Sequence, residues 1–320
     1  MASKQVIESL LSEAREDAKV SLFLSQQLEQ IESEVYRIEY PELKFRQFLP
    51  VDTSYPSGVE TISFFEYDEF GMAAWISNYA MDLPNVSVRG EKFSSTVEGI
   101  GASYAYSTQD LRAAAMAKMP LSSELATTAA KFIERKMDEA AALGQSSLGM
   151  VGFANHPNVP VDTAADNGSG STHWEDKTAD QILFDLHSLA TAVWEETKEL
   201  HAPDTILLPT SLYGLVSLKR IGIETGNTVL KMFNAMNPWV KNVYSWNRLE
   251  TAGADGGPRI ICYQKDPSVV KVAIPMETVQ YEPERKSLSY SVPMEARFGG
   301  TLVRRPLAIR YLDGAGPVPS

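Results

Sequence analysis

The residues of this 320-residue sequence best suited to acid–base, nucleophilic or metal chemistry are four histidines, one cysteine and a few acidic clusters. His156, His173, His187 and His201 are never three or four apart, so no helix face brings two of them to one metal. The densest polar stretch, DTAADNGSGSTHWED, ends in the cluster His173 to Asp176. Its acids miss the spacing of a calcium loop. Thr178 to Gln181 has capping-box spacing, so Glu175, Asp176 and Asp180 read as acids at the positive end of a helix. The single cysteine, Cys262, sits in the apolar run RIICYQ and reads as a buried strand thiol; alone it excludes an internal disulfide and any multi-cysteine metal site. Gly99-Ile-Gly101 lacks the third glycine of a dinucleotide fingerprint, and GADGGP lies between helix and strand in the wrong order. No GxxxxGK[ST], HExxH or GxSxG occurs. The expectation is no catalytic residue, no cofactor and no metal.

A formal charge of -12 argues against a dedicated nucleic-acid binder, which needs clustered Lys and Arg, and the 44% hydrophobic content is that of a globular protein. The acidic start MASKQVIESLLSEARED is unlike a signal peptide, and no run reaches the roughly 18 apolar residues of a membrane span, so a soluble protein is expected. Between residues 175 and 199 two lysines face seven carboxylates. That is either a solvated helix face or a surface kept negative to repel a polyanion it encloses.

The positioning elements follow from periodicity. Residues 1 to about 40 read as helical, with Val6, Ile7, Leu10 and Leu11 on one stripe and Leu24, Leu28 and Ile31 on another. Each stripe is too narrow for a core, and four basic against eight acidic residues leave this stretch at -4, an arm that lies on another surface or on its own domain. From Gly58 follow almost fifty residues of β-branched and aromatic strand with no second layer of sequence to cover them, either the wall of a sandwich or a ribbon that projects and is covered by a neighbour. Within them, WISNYAMDLPNVSV sets two apolar runs around a polar insert in which Asp82 is either a general base or a turn residue. Ser107 to Asp110 opens a short helix that Pro120 interrupts. The next helix places Leu125, Ala129, Phe132, Ile133, Met137, Ala140 and Ala141 on one apolar face, with Gly144 as its C-terminal cap. A third helix runs to about Leu200, TILLP is a strand, Thr210 is the N-cap of TSLYGLVSLKRIG, and RIICYQ completes a compact α/β lobe. The chain then returns to strands through VVKVAIP, SLSYSV, MEARFGGTLV and LAIRYL.

The order of these elements, with GMVGFAN after the long helix, LLPTSLYGLVSLK from strand to helix, and a closing RRPLAI strand, resembles the major capsid protein of tailed bacteriophages over nearly the whole chain. The resemblance implies an α+β fold of the Hong Kong 97 type. Residues 1–56 would be an N-terminal arm and 57–98 an extended loop. Residues 99–179 would form a peripheral domain with a spine helix at about 122–143, joined by strands 276–299. Residues 180–275 would form an axial domain, joined by 300–320. It further implies a structural protein, not an enzyme, that assembles through hexamers and pentamers into an icosahedral head enclosing double-stranded DNA without sequence-specific contacts. Assembly would take place in the bacterial host cytoplasm, away from membranes. NYAMDLPN becomes the loop tip, with Trp75, Ile76 and Tyr79 covering a neighbour and Asp82 turning the chain.

Implied partners are further copies, a portal, a decoration protein and a scaffolding protein, the last a separate chain because the arm begins near residue 1. Some members cross-link through a loop lysine and an asparagine, but residues 57–91 contain no lysine and Lys92 lies at the base of the returning strand, so closure without covalent links is expected. From Tyr281 to Leu312, six basic and three acidic residues give +3. Arg297, Arg304 and Arg305 are therefore candidates to pair with Glu66, Asp68 or Glu69 of an adjacent copy, or else within their own domain. The alternatives are an encapsulin-like compartment around cargo enzymes and, third, an unrelated α/β enzyme.

Overall fold

The computed structural model describes residues 43–70, 85–117, 121–222 and 226–318. Helix α1 (Phe45–Phe48) is followed by β1 (Val51–Asp52), the ten-residue strands β2 (Thr61–Phe70), β3 (Ser87–Thr96) and β4 (Glu98–Ser107), then α2 (Thr108–Ala117) and α3 (Leu121–Leu143). Short strands β5 (Gly144–Gln145), β6 (Met150–Val151) and β7 (Val161–Thr163) lead to α4 (Ala179–Glu196), β8 (Thr205–Leu208), α5 (Thr210–Leu218), α6 (Val229–Met236), β9 (Asn242–Ser245) and β10 (Ile260–Tyr263). The chain closes with β11 (Val270–Ala273), β12 (Met276–Gln280), β13 (Glu284–Lys286), β14 (Ser289–Phe298), β15 (Thr301–Val303) and β16 (Ile309–Asp313).

Local chemistry sets the helix ends. Asp110 N–H donates to Ser107 Oγ and Ser107 N–H to Asp110 Oδ2, a reciprocal capping box at α2. Thr178 and Gln181 repeat it at α4. Helix α3 stops at Gly144, whose φ of 73° is left-handed. Asn155 then accepts from Gly152 N–H at 2.8 Å and donates to the Leu143 carbonyl at 2.6 Å, so the GMVGFAN segment satisfies the last turn of the long helix. At α5 the structure corrects the expected cap. Thr210 is the first helical residue, and the orphan N–H of Ser211 donates to Glu250 Oε1, from a segment 39 residues away.

Two hydrophobic clusters share one five-stranded sheet, ordered β7-β16-β10-β8-β9. Ile206, Leu208, Ile260 and Cys262 point to α4, α5 and α6, while Leu207, Ile261 and Tyr263 point to the cluster that holds Phe45, Phe48, Ile133 and Met137. Both faces are covered, so these strands read as continuous apolar runs. Burial, reinforced by Asp204, pushes the Cys262 thiol far above its ordinary value, as expected of an inert strand cysteine. RRPLAI corrects a second expectation. Pro306–Ala308 is a 3-10 turn, because proline cannot donate to a ladder, and the strand begins at Ile309.

In the second main sheet β14 is central. It pairs with β4 along ten residues on one side and with β12 and β13 on the other. Its inner residues Val292, Met294, Ala296 and Phe298, with Ile100, Ala102 and Tyr104 of β4, pack in the cluster to which Ala129, Ile133 and Met137 of α3 belong. Phe132, expected on that face, is 53% exposed. The helix rotation of about 100° per residue separates it from Ile133, and the buried stripe is narrower than the apolar residues suggested.

Candidate assembly interface

Strands β2 and β3 pair antiparallel in continuous register from Thr61 opposite Thr96 to Phe70 opposite Ser87; among the described residues neither pairs with another strand. The base of this hairpin is fixed. Ile62 and Val97 are buried with Ala273 and Leu302, and Val97 N–H donates to the Glu60 carbonyl at 2.8 Å. Beside it β1 pairs in parallel with β11, and Lys271 Nζ meets Asp52 Oδ2 at 2.5 Å. Burial alone would raise the Asp52 carboxyl, but hydrogen bonds from Lys271 and Ser54 hold it well below the usual carboxylate range.

Beyond the base, side chains alternate between two faces. One carries Phe65 and Tyr67 with Val88 of β3 and Val86 just ahead of it, exposed by 60%, 69%, 61% and 71%. The Phe65 and Tyr67 rings stack at 6.5 Å, and Tyr67 lies across Gly90, where a Cβ would come within 3.2 Å of its ring. The opposite face begins with Phe64 stacked on Phe93 at 5.4 Å and then becomes acidic, with Glu66 directly opposite Glu91. Like charges facing each other weaken a strand pair, and a two-stranded hairpin of this length is marginal by itself.

The residues singled out from sequence divide into three groups. Trp75, Ile76, Tyr79 and Asp82 lie outside the described residues, as do Leu10, Leu24 and Leu28. Glu66 is exposed on the acidic face, and Asp68 and Glu69 stand in register with Arg89 and Val88. The three arginines each have a contact in their own chain. Arg297 donates to the Ser57 carbonyl, Arg305 Nη1 donates to His201 Nε2 at 2.9 Å, and the Arg304 guanidinium stands 5.9 Å over the Phe64 ring with its buried Nε unpartnered among the described residues.

The polar cluster His173 to Asp176 is an anchor. Trp174 Nε1 donates to Asp185 at 2.8 Å, Lys177 meets the same carboxylate at 2.5 Å, and Lys219 donates to the carbonyls of Trp174, Glu175 and Lys177. Asp185 is buried, so the acidic stretch 175–199 is not a wholly solvated face: burial of one carboxylate demands the paired lysine. Among the described residues no three His, Cys, Asp or Glu side chains converge to hold a metal. The sequence reasoning missed the stripe of Phe65, Tyr67, Val86 and Val88. Its signal was the period of two in SFFEY and in VSV, which defines one face only once the register of the hairpin is fixed.

Comparison with known proteins gives the family of the chain. The family model described as major capsid protein matches residues 71–315. The chain belongs to the major capsid protein family. Among solved structures, the capsid of Myoviridae phage XM1 has a TM-score of 0.78 at 19% identity, over 90% of this chain and 97% of that chain. The capsid of the native GTA particle gives 0.63 at 14% identity, over 90% and 95%. A virus-like particle from Pyrococcus furiosus gives 0.54 at 12%, over 84% and 92%. No curated protein matches. At these identities the likeness is one of fold, and it is the Hong Kong 97-type α+β fold that the order of elements implied. No helix among the described residues is long and apolar enough to cross a membrane.

Proposed function

We propose that this major capsid protein builds the icosahedral head of a tailed bacteriophage through hexamers and pentamers, enclosing double-stranded DNA without sequence-specific contacts. One observation carries the reading: a hairpin of two ten-residue strands that, among the described residues, is anchored only at its base, with four large apolar side chains open on one face. The arm at 1–56, extended loop at 57–98, peripheral domain at 99–179 and axial domain at 180–275 are the divisions this function suggests. The tip residues Trp75, Ile76 and Tyr79 reach over a neighbour, and Arg297, Arg304 or Arg305 meets Glu66, Asp68 or Glu69 across copies. A portal, a separate scaffold and a decoration protein complete the assembly.

The shell closes without covalent links, since residues 57–91 offer no lysine. Apolar burial, about 25 cal/mol per Å², repeated by symmetry, then supplies the strength. An encapsulin-like compartment ranks lower, because the capsid of phage XM1 is similar at a TM-score of 0.78 over 90% of this chain.

Electron microscopy of the purified full-length protein tests this reading. Closed shells or capsomers are expected, and a population of compact monomers under all assembly conditions would contradict it. Boiling the particles in denaturing detergent should give one monomer band, whereas a ladder of multimers would refute non-covalent closure.

A further inference from the structure

Among the described residues His201 is the one histidine with a partner on each ring nitrogen: Gln264 Oε1 stands 2.7 Å from Nδ1 and Arg305 Nη1 2.9 Å from Nε2. The chemistry of these partners fixes the state of the ring. A guanidinium has donors and no acceptor, so Nε2 carries its lone pair and the imidazole is neutral. Its single proton is then on Nδ1, where it donates to the Gln264 side-chain oxygen. The three residues come from separate segments. His201 follows α4, Gln264 follows β10, and Arg305 leads into the 3-10 turn before β16, the antiparallel neighbour of β10. The ring thus ties the end of α4 to both strands.

The tied end is strained. Lys198 and Glu199 have φ of 50° and 69°, in the left-handed region that residues with a side chain seldom adopt. Such backbone persists where its surroundings hold it. Here His201 N–H donates to Thr197 Oγ1 at 3.1 Å and closes the turn, and the imidazole fastens its far side. We infer that His201 is a proton-operated latch on Arg305, closed while the imidazole is neutral and open once it is protonated. Histidine changes charge between about pH 8 and pH 5. The added proton takes the lone pair of Nε2, so Arg305 loses its acceptor and two cations face each other, while Nδ1 still donates to Gln264. The other charged groups around the ring allow this exchange. Bonds from Ser268 first, and then the charges of Arg305 and His201, hold the Asp266 carboxyl below its ordinary value, so it is ionised throughout this range and attracts the released guanidinium. Lys265 donates to the Gln47 carbonyl, Asp204 accepts from Lys265 N–H, and Lys198 and Glu199 precede the ring on its own segment. Arg305 is one of the arginines proposed to meet an acid of another copy, and the latch makes its release depend on pH. It operates in the single subunit and does not rest on the shell function.

Two measurements on the full-length chain test it. NMR of the protein labelled with nitrogen-15 in histidine, at pH 8, should show the His201 proton on Nδ1; a proton on Nε2 would overturn the latch, whatever the behaviour of any variant. A double-mutant cycle of His201→Ala and Arg305→Ala, read by denaturant unfolding, should give a coupling of about fivefold in the unfolding equilibrium constant at pH 8 and none, or one of opposite sign, at pH 5.5. The same cycle started from His201→Gln, whose side-chain oxygen accepts from Arg305 and does not titrate, should give equal coupling at the two pH values. Native coupling that is unchanged between pH 8 and pH 5.5, or that falls by the same factor in the cycle started from His201→Gln, would overturn the latch. Absence of shells from the unmodified protein would instead overturn the shell function and leave the latch standing.

Discussion

The β4/β14 sheet and the β2–β3 hairpin are made of similar material, ten-residue antiparallel strands with alternating residues, yet they meet opposite fates inside one chain. The sheet has α3 across its inner face, so Ile100, Met294, Ala296 and Phe298 join the main cluster. Among the described residues the hairpin has a cover only at its base, where Ile62 and Val97 are buried, and a few residues further on Phe65 and Tyr67 stand open. Strand chemistry thus decides that a segment pairs; whether it is buried depends on what else the chain, or another chain, lays on it. In the sheet the subunit supplies the second layer. For the hairpin, the described residues supply none beyond the base, and the proposed assembly would.

This contrast orders the expected effects of substitution. Ile133→Asp puts an unpaired carboxylate beneath the sheet, a cost of several kcal/mol, and should abolish soluble protein; normal yield in a solubility assay would break the claim that α3 is the sheet's second layer. Ile62→Ala opens a cavity at the hairpin base and should cost about 2–5 kcal/mol in denaturant unfolding, with a negligible change arguing that the base is not an anchor. Acid should act at the same place. The folded-state carboxyl of Asp52 lies below its ordinary value of 3.8, so its contribution to stability is full above that pH and is lost as pH falls further. Asp52→Asn should flatten that acid limb of the stability curve, and an unchanged limb would remove the Lys271 pair from the account. Smallest is the expected effect of Phe65→Ser with Tyr67→Ser on the isolated subunit, within about 0.5 kcal/mol, as for exposed sites generally.

How far the sequence carried this picture also depends on which region is considered. Both capping boxes, the Gly144 stop, the buried Cys262 strand and the order of elements were legible because each is written in a few adjacent residues. Phe132 misled because an apolar side chain at the flank of a helix stripe looks, in sequence, like one at its centre. Glu250 capping α5, Asp138 accepting from Phe45 N–H at the start of α1, and Lys177 buried on Asp185 were not legible as partners, since the residues lie 8 to 93 positions apart and no spacing rule links them. The candidate interface was half legible. A ribbon with no cover followed from composition, but its last strand, β4, is covered by α3, and the face the remaining hairpin presents depends on the register of Thr61 with Thr96, which strand sequences alone do not set.

Hydrogen exchange on the full-length protein, measured once as isolated subunits and once as assembled shells, tests the difference between the two regions most directly. Segments with few buried contacts open locally at little cost, whereas core strands open only with the whole fold. The account predicts slow exchange for the amides of β4 and β14 in both states, and for β2 and β3 fast exchange in the subunit that becomes slow in the shell. Hairpin amides already slow in the isolated subunit, or still fast in the shell, would contradict it.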